Sequence, residues 1–299
     1  MLDGHMSITL QSGAAALLDE IVEAVAGFQE EGAPVQLHPG DLGWAWRFGS
    51  QALADELRAW RRGGRILAVG AVDGGEGLIR MAIAPSADHD EELADRLVAD
   101  LSDPDRGVLP AGRGTVEARF GSAFRDLLHR SGWVSDEPWT PLHRQLKDPV
   151  EDCGLRVEVL DADHVQDRVV RHRVGVMRAS FPTSTFTVER WRTMAATSAY
   201  RRGRCLVAYD RDDNAVATTT VWSAGRGRPG LIEPLGAHRD HRGHGHGRAI
   251  TVAAAAALQE MGSSSVTVCT PSSNAGGVAA YLSAGFDQLP DVTDFRRPR

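Results

Sequence analysis

One stretch of the sequence decides the fold, namely Leu231-Ile232-Glu233-Pro234-Leu235-Gly236-Ala237-His238-Arg239-Asp240-His241-Arg242-Gly243-His244-Gly245-His246-Gly247-Arg248-Ala249-Ile250. An apolar strand pattern runs into a loop dense in glycine, and the loop opens a helix. Glycine lets the backbone approach a ligand closely, and the free N–H groups of a first helical turn point outward. Such a helix start favours an anion by about 0.3–1 kcal/mol. Because Arg242 and Arg248 would add charge-assisted contacts, the stretch predicts a phosphate-binding loop.

The same loop also permits a purely structural interpretation and a metal site. A tight turn in a glycine-rich chain remains an alternative. The loop is not a Walker loop, because no Gly-Lys-Ser/Thr follows, and its glycine spacing differs from the dinucleotide fingerprint. The four loop histidines, at positions 238, 241, 244 and 246, suggest a metal site. Neighbouring loop positions rarely converge on one ion, and no cysteine or paired carboxylate completes a shell, so we predict no metal.

Length and composition indicate two globular domains. The 299 residues suit two domains of about 150 residues each, and 42% hydrophobic with 24% charged residues is typical of soluble proteins. No apolar run approaches the roughly 20 residues that a bilayer requires, and no secretory signal is recognisable. The three cysteines, Cys153, Cys205 and Cys269, have no metal-like spacing and are expected to be reduced thiols. We therefore expect a cytoplasmic protein without membrane association.

The net charge of −7 is unevenly distributed along the chain. Residues 1–150 carry 14 basic and 24 acidic side chains, a net charge of −10, whereas residues 151–299 carry 19 and 16, a net charge of +3. The overall acidity argues against a nucleic-acid partner. If either half binds a polyanion, the second half is favoured.

A polar, proline-containing stretch at residues 148–152 is predicted to link a domain at 1–147 to one at 153–299. In the second domain, alternation of apolar residues predicts strands and helical periodicity predicts helices. The predicted strands are 155–160, 204–209, 216–222, 231–237 and 265–270. The predicted helices are 163–179, 188–199, 247–261 and 274–284, the third ending at Gly262.

The two halves show a faint internal repeat at an offset of 153 residues. Leu235-Gly236-Ala237 falls on Ala82-Ile83-Ala84, and Gly285-Phe286 falls on Gly132-Trp133. One offset that places two landmarks predicts a duplicated domain. The loop itself is not repeated: the counterpart of the glycine loop is the acidic stretch 88–92, which repels phosphate at a helix start. We expect the first copy to have the shape without the anion site.

Two motifs of the second half resemble the GNAT superfamily of N-acetyltransferases. The strand end Glu233–Ala237 followed by Arg242-x-x-Gly245-x-Gly247 is similar to the family's motif A, whose loop and helix start bind the pyrophosphate of acetyl-CoA. Asn274, with Tyr281 seven residues later, resembles motif B. The tandem layout, with a degenerate first copy in which Gly121 and Leu128 replace the asparagine and tyrosine, is a known variant of this family.

The resemblance implies an α/β (α+β) fold of two tandem GNAT-like domains. Each would have a mixed, mostly antiparallel central sheet with helices on both faces and one splayed parallel strand pair. It implies an N-acyltransferase that passes an acetyl or other acyl group directly from acyl-CoA to a primary amine in a ternary complex. The residues it assigns to cofactor binding are Leu235, Gly236, Ala237, Arg242, Gly243, His244, Gly245, His246, Gly247, Arg248, Asn274 and Tyr281.

Candidate catalytic roles are implied by the resemblance together with the chemistry of amine acylation. A backbone N–H of the splayed strand would stabilise the thioester oxygen, and Leu235 is the candidate because Pro234 has no N–H. Tyr281 is the candidate general acid for the departing thiolate. Glu233 is the candidate base, directly or through water, with His238 in reserve; the alternative is a structural glutamate paired with an arginine such as Arg226 or Arg228.

The acceptor is expected to be a small-molecule amine. Its pocket would be walled by the first helices of the second half and the strand that ends at Trp222. The candidate lining residues are Arg178, Phe181, Trp191 and Trp222, although core packing explains the aromatic residues equally well. Two further functions stay open, a non-catalytic acyl-CoA sensor and a protein lysine or N-terminal acetyltransferase. The protein is expected to be a monomer or homodimer.

Overall fold

The computed structural model describes residues 7–73 and 77–298. They divide into two compact units. The first unit contains the residues up to His38, Ser50–Trp139 and the residues from Val292 on, and the second contains Pro39–Gly49 and Thr140–Asp291.

The described strands and helices follow one another in short groups along the chain. The strands are β1 (Thr9–Ser12), β2 (Leu57–Arg62), β3 (Arg65–Asp73), β4 (Leu78–Ile83), β5 (Thr115–Glu117), β6 (Val134–Gln145), β7 (Arg156–Leu160), β8 (Gly203–Tyr209), β9 (Ala215–Ser223), β10 (Gly230–Ala237), β11 (Ser265–Pro271), β12 (Asp287–Gln288) and β13 (Val292–Arg296). The α-helices are α1 (Leu18–Phe28), α2 (Pro39–Ala45), α3 (Ser50–Glu56), α4 (Glu91–Ser102), α5 (Ser122–Arg130), α6 (Asp167–Ser180), α7 (Val188–Ala195), α8 (His246–Glu260) and α9 (Ala275–Ser283).

The sheet of the first unit runs in the order β1-β2-β3-β4-β5-β13 and ends on the first half of β6. Neighbouring strands from β1 to β4 are antiparallel, and β4 and β5 are parallel. The alternation of buried and half-buried residues along β4 is typical of a strand with one face in the core. Helix α1 packs on β3 and β4, and α4 packs on α5.

The sheet of the second unit runs in the order β6-β11-β10-β9-β8-β7, with β12 paired to the second half of β6. Strands β7 to β10 are antiparallel to their neighbours, while β10 and β11 are parallel. One face packs against α8, a helix rich in alanine, and the opposite face packs against α6 and α7. The predicted fold class is confirmed: a mixed, mostly antiparallel sheet with helices on both faces.

The predicted duplication is visible in the element order. Omitting α2, each unit runs strand, two helices, three strands, helix, strand, helix, strand. Helices α5 and α9 begin at residues 122 and 275, 153 residues apart as the sequence repeat requires. The repeat was faint in sequence because only turn glycines and apolar positions, and not the loop chemistry, are shared between the copies.

The compact units differ from the division drawn at 148–152. The second unit begins at Thr140 and also includes residues 39–49, whereas the chain from Val292 on belongs to the first unit. The expected linker is fastened to α8, because the Gln259 side chain donates to the carbonyls of Leu146 and Asp148 and accepts from the N–H of Val150. Its proline and charges therefore mark a surface turn of the second unit.

Helix α2 escaped sequence reasoning because its residues are poor helix formers. It contains Pro39, Gly40 and Gly43, and glycine costs about 1 kcal/mol relative to alanine inside a helix. The two glycines lie against the indole of Trp222, where added Cβ atoms would be 2.5 and 2.4 Å from ring carbons. Close packing on Trp222, and not helix propensity, explains this segment.

Element boundaries in the second unit follow the predictions within a few residues. Helix α6 begins at Asp167, four residues later than predicted, because the Asp161 carboxylate accepts from the N–H groups of Asp163 and His164 and holds them in a turn. Helix α8 ends at Glu260, and Gly262 follows in a left-handed conformation with φ 84°. No helix within the described ranges is long and apolar enough to span a bilayer.

Candidate active site

The centre of the second unit is a pair of parallel strands that separate. Strands β10 and β11 pair only at Gly230–Val266 and Leu231–Thr267. Beyond these pairs β10 continues to Ala237 and β11 to Pro271, but the two strands no longer pair with each other. The divergence opens a gap beside Leu235 and exposes backbone groups there that a ligand can bind. The predicted splayed strand pair is therefore present.

A bulge in β10 accompanies the separation. The register between β9 and β10 shifts between Ile232 and Leu235, and the Glu233–Pro234 peptide bond is cis. Side chains of β9 hold the two residues of the bulge: Trp222 Nε1 donates to the carbonyl of Glu233 (2.7 Å), and Thr219 Oγ1 donates to the carbonyl of Pro234 (2.9 Å). The bulge therefore has fixed partners and re-aims the strand end.

The glycine loop ends in a helix start whose amide groups have no capping side chain. Gly243 and Gly245 both have positive φ, 81° and 80°, a conformation that costs other residues about 1–2 kcal/mol. Helix α8 begins at His246 with no side-chain cap and no acidic residue in its first turn. The positive end of the helix dipole therefore faces the loop without compensation, as an anion site requires.

The corresponding helix start in the first unit is already satisfied by carboxylates. The Asp90 side chain caps α4 by accepting from the N–H of Leu93, and Glu91 and Glu92 occupy the first turn. Arg62 forms ion pairs with Asp90 (2.6 Å) and Glu92 (2.8 Å), and its hydrogen bond lowers the pKa of Asp90. These charges repel a phosphate at the first copy's helix start.

The loop is tied to the end of α6. Arg242 donates to the carbonyl of Ser180 (3.2 Å), and Arg239 donates to those of Ala179 (2.9 Å) and Arg178 (3.2 Å). Cationic groups suit the negative end of a helix, so both arginines stabilise α6. Gly236 allows the close approach, because a Cβ there would lie 2.6 Å from Ser180 Cβ.

A groove of about 530 Å³ joins these parts. Ten of its lining residues are assigned to cofactor binding or are neighbours of such residues in the two motifs. Five more come from the end of α6 and the start of α9. Its lining consists of Ser180, Phe181, Leu235, Gly236, Ala237, His241, Arg242, Gly243, Gly245, His246, Gly247, Asn274, Gly276, Gly277 and Ala280. His244 and Arg248 are exposed outside this lining, and Arg248 Nε donates to the carbonyl of Ser283.

Asn274 has a structural role at the groove. Its Oδ1 accepts from the N–H of Gly277 (3.1 Å) and caps α9, while its Nδ2 donates to Thr270 Oγ1 (3.0 Å). Asparagine is among the best N-cap residues. The side chain folds so closely over Gly277 that a Cβ there would meet Nδ2 at 2.4 Å. A contact between Asn274 and the cofactor remains a prediction.

The two candidate catalytic side chains influence each other electrostatically. Burial and, to a smaller extent, the negative charge of Glu233 raise the pKa of Tyr281 well above its ordinary value, so the phenol keeps its proton at neutral pH. Tyr281 packs on Phe286, with ring centroids 5.4 Å apart. Glu233 is half-buried on β10. Neither Glu233 nor Tyr281 is among the residues that line the groove, and their catalytic roles remain predictions.

The loop histidines form a cluster of rings. His238 and His241 meet edge to face at 5.1 Å, and His244 stacks on His246 at 5.8 Å. Burial and the neighbouring His244 lower the pKa of His246. In the part of the chain that the structure describes, no group of histidine, cysteine or acidic residues has the arrangement of a metal site.

The candidate acceptor residues lie in different surroundings. Phe181 lines the groove and is 38% exposed. Trp191 and Trp222 are each 1% exposed and belong to the core between β8, β9, α6 and α7, as the core-packing alternative allowed. Arg178 is exposed and contributes only its carbonyl to the contacts described above. The acceptor role of these four residues remains a prediction.

Sequence reasoning missed several groove residues. Ser180, Gly276, Gly277 and Ala280 line it, and Thr219 fastens the bulge. The signal for Gly277 was available, since an N-cap asparagine folds over the third residue after it. The roles of Ser180 and Thr219 depend on contacts between distant segments, which periodicity does not report.

Comparisons with known proteins agree with this geometry. Residues 168–286 match the Acetyltransferase (GNAT) family. The fold is similar to a tandem GNAT protein from the clavulanic acid biosynthesis pathway, with 16% identity, a TM-score of 0.63 and coverage of 97% of this chain and 98% of that one. An acetyltransferase of the GNAT family from Colwellia psychrerythraea has 13% identity and a TM-score of 0.59, with 97% and 99% covered. N-myristoyltransferase from Saccharomyces cerevisiae has 8% identity and a TM-score of 0.56, with 99% and 78% covered.

No curated protein matches the sequence. The matched residues include the separating strands, the glycine loop and α9, which define an acyltransferase domain. Residues 168–286 of the second unit therefore match the GNAT acetyltransferase family, whose fold supports acyl transfer from acyl-CoA in general, and the fold of the whole chain is similar to that of a tandem GNAT protein.

Proposed function

We propose that this protein is an N-acyltransferase that moves an acetyl or other acyl group from acyl-CoA to a primary amine of a small molecule. The observation that carries the proposal is the groove of the second unit, in which uncapped helix amides, Arg242 and the separated strand β10 lie along one surface. A diphosphate suits the loop end of this groove, and a pantetheine amide suits the exposed backbone of Leu235 and Ala237.

Direct transfer in a ternary complex gives each candidate group a task. The N–H of Leu235 would stabilise the oxyanion that forms at the thioester carbon. Glu233, directly or through water, would accept the amine proton, with His238 as the alternative base. Tyr281 would donate a proton to the thiolate of coenzyme A. Its raised pKa means only that the phenol is protonated and able to donate at neutral pH.

The packing of α2 on β9 favours a small acceptor. The α2 glycines pack flat on the Trp222 indole, whose Nε1 in turn holds the bulge. Next to this contact Trp44 packs on Phe186 with ring centroids 5.1 Å apart. A peptide substrate needs an open cleft across the separated strands, whereas these aromatic residues close one side of that region.

The proposal is tested by thiol release from acetyl-CoA, and from longer acyl-CoAs, over a panel of small primary amines. We expect turnover with at least one amine and loss of turnover in Tyr281→Phe. Tight calorimetric binding of acyl-CoA without turnover on any amine would replace the proposal with an acyl-CoA sensor. Acetyl-lysine on co-purified proteins, found by mass spectrometry together with inactivity on small amines, would replace it with a protein acetyltransferase.

A further inference from the structure

Arg173 is a fully buried cation in the second unit. It lies on α6 with 0% exposure and faces β9. Its Nη1 donates to Thr218 Oγ1 (2.8 Å) and to the carbonyl of Thr219 (3.1 Å), and its Nη2 donates to Thr220 Oγ1 (2.5 Å). Its Nε has no hydrogen-bond partner. Among the residues that the structure describes, no carboxylate forms an ion pair with it.

Stability alone gives a poor explanation of this residue. Transferring a guanidinium from water into a protein core is costly, and neutral hydrogen bonds return only part of that cost. An apolar side chain of similar length would fill the space beside Phe186 without the charge. A buried cation without a carboxylate partner is therefore a candidate for a role in function.

The contacts of Arg173 lead directly to the bulge of β10. Thr218 and Thr220 point toward α6, and the side chain of Thr219 points to the opposite side of the strand. There Thr219 Oγ1 donates to the carbonyl of Pro234, and Thr219 is the register partner of Leu235. The guanidinium thus binds three consecutive residues of β9 beside the part of β10 that follows the bulge and no longer pairs with β11.

We propose that Arg173 is a positioning residue for acyl transfer, which fixes β9 at Thr218–Thr220 so that Thr219 holds the Pro234 carbonyl and the Leu235 N–H stays directed at the thioester oxygen. Its positive charge adds to the stabilisation of the oxyanion, because no carboxylate within residues 7–73 and 77–298 forms an ion pair that offsets it. This inference depends on the proposed function, since it assigns a task within the same reaction.

Steady-state kinetics separate this role from a structural one. Arg173→Met removes the guanidinium hydrogen bonds and the positive charge. We expect kcat to fall about 10²-fold, because a small misplacement of reacting groups has a cost of this size. The Kd of coenzyme A should be nearly unchanged. Arg173→Lys keeps the charge and part of the hydrogen bonding, so its loss should be about tenfold. Arg171→Met, an exposed arginine on the same helix, is the matched control and should have wild-type kcat.

A double-variant cycle tests the route through Thr219. Thr219→Val removes only the hydroxyl that holds Pro234, and we expect a loss of kcat in the same direction as for Arg173→Met. Because both residues act on one bulge, the double variant should be no slower than Arg173→Met alone. Multiplying losses would show that Arg173 acts elsewhere and would overturn the inference.

A spectroscopic readout makes the test independent of the acceptor. Acetyl-CoA labelled with ¹³C at the thioester carbonyl should show a bound resonance downfield of free acetyl-CoA, because the Leu235 N–H polarises that carbonyl. This difference in chemical shift between bound and free acetyl-CoA should be smaller in Arg173→Met and in Thr219→Val. In Arg173→Lys it should be intermediate between the wild type and Arg173→Met. An equal difference in chemical shift and equal kcat, with only a lower melting temperature, would overturn the inference. Failure of the wild-type protein to bind acetyl-CoA would instead refute the proposed function, and this inference with it.

Discussion

Replacing Gly236 by alanine tests the close approach of α6 to β10. The added Cβ would lie 2.6 Å from Ser180 Cβ, 2.7 Å from its Oγ and 3.0 Å from a ring carbon of Phe181. Ordinary contacts between carbon atoms begin near 3.5 Å, so the end of α6 must move by several tenths of an ångström. Ser180 cannot yield by rotation alone, because its Cβ clashes and its Oγ donates to the Val176 carbonyl (2.8 Å).

The displacement has a calculable cost in stability and in binding. Overpacking of a core typically costs about 1–3 kcal/mol, which for a unit of this size lowers the melting temperature by about 2–4 °C per kcal/mol. Since Arg242 is bound to the Ser180 carbonyl, we also expect the affinity for coenzyme A to fall about tenfold or more, as loss of a charge-assisted contact implies.

The assays are differential scanning fluorimetry and isothermal titration with coenzyme A. Gly175→Ala is the matched control, because Gly175 lies on α6 outside the groove and an added Cβ meets no atom within 4 Å. Alanine also favours the helix there by about 1 kcal/mol. If Gly236→Ala had the same melting temperature and the same affinity for coenzyme A as the control, our explanation of this glycine would be wrong.

Three further predictions concern the loop, the acid and the first unit. Gly245→Ala should weaken coenzyme A binding about tenfold in calorimetry because alanine avoids a φ of 80°. Gly175→Ala, on α6 outside the groove and with no atom within 4 Å of the added Cβ, should bind normally; equal effects would contradict this. Tyr281→Phe should lower kcat by about 10²–10⁴-fold with unchanged coenzyme A affinity, and parallel losses of both would exclude the acid role. Burial, reinforced by Glu117, raises the pKa of Asp294 from 3.8 to about 6, so the native state binds a proton more tightly than the unfolded chain and loses stability as pH rises from about 4 to 6. The Arg119 guanidinium, 3.5 Å from the Asp294 carboxylate, opposes this rise and loses its partner in Asp294→Asn. We therefore expect the stability of Asp294→Asn relative to the wild type to increase by about 2 kcal/mol as pH rises from about 4 to 6 in thermal melts; a difference that does not change with pH would refute the assignment.

The glycine loop could be predicted from sequence because its chemistry is local. Strand β10, the loop and α8 follow each other without interruption, and caps and glycines act within a few residues. Asn274 and Tyr281, at the N-cap of α9 and within that helix, were assigned only through the resemblance to motif B of the GNAT family. The resemblance to the GNAT family then supplied the order in which these parts assemble.

The parts that were missed depend on contacts between distant residues. Helix α2 is held by Trp222, some 180 residues later in the chain, and no propensity predicts it. Residues 292–296 form a strand of the first unit because Phe295 pairs with Val116, although sequence order places them after the second domain. Trp191 and Trp222 fit a pocket or a core equally well in sequence, and their exposure of only 1% each places them in the core.

The most direct test of the account is the affinity of coenzyme A for Arg242→Glu, measured by isothermal titration beside the wild type and the exposed control Arg171→Glu. The account predicts that the glycine loop of the second unit binds the diphosphate of coenzyme A. The charge reversal should therefore weaken coenzyme A binding about 100-fold or more, while the control binds normally. Unchanged affinity in Arg242→Glu, or a crystal in which the nucleotide lies beside Glu91 of the first unit, would contradict it.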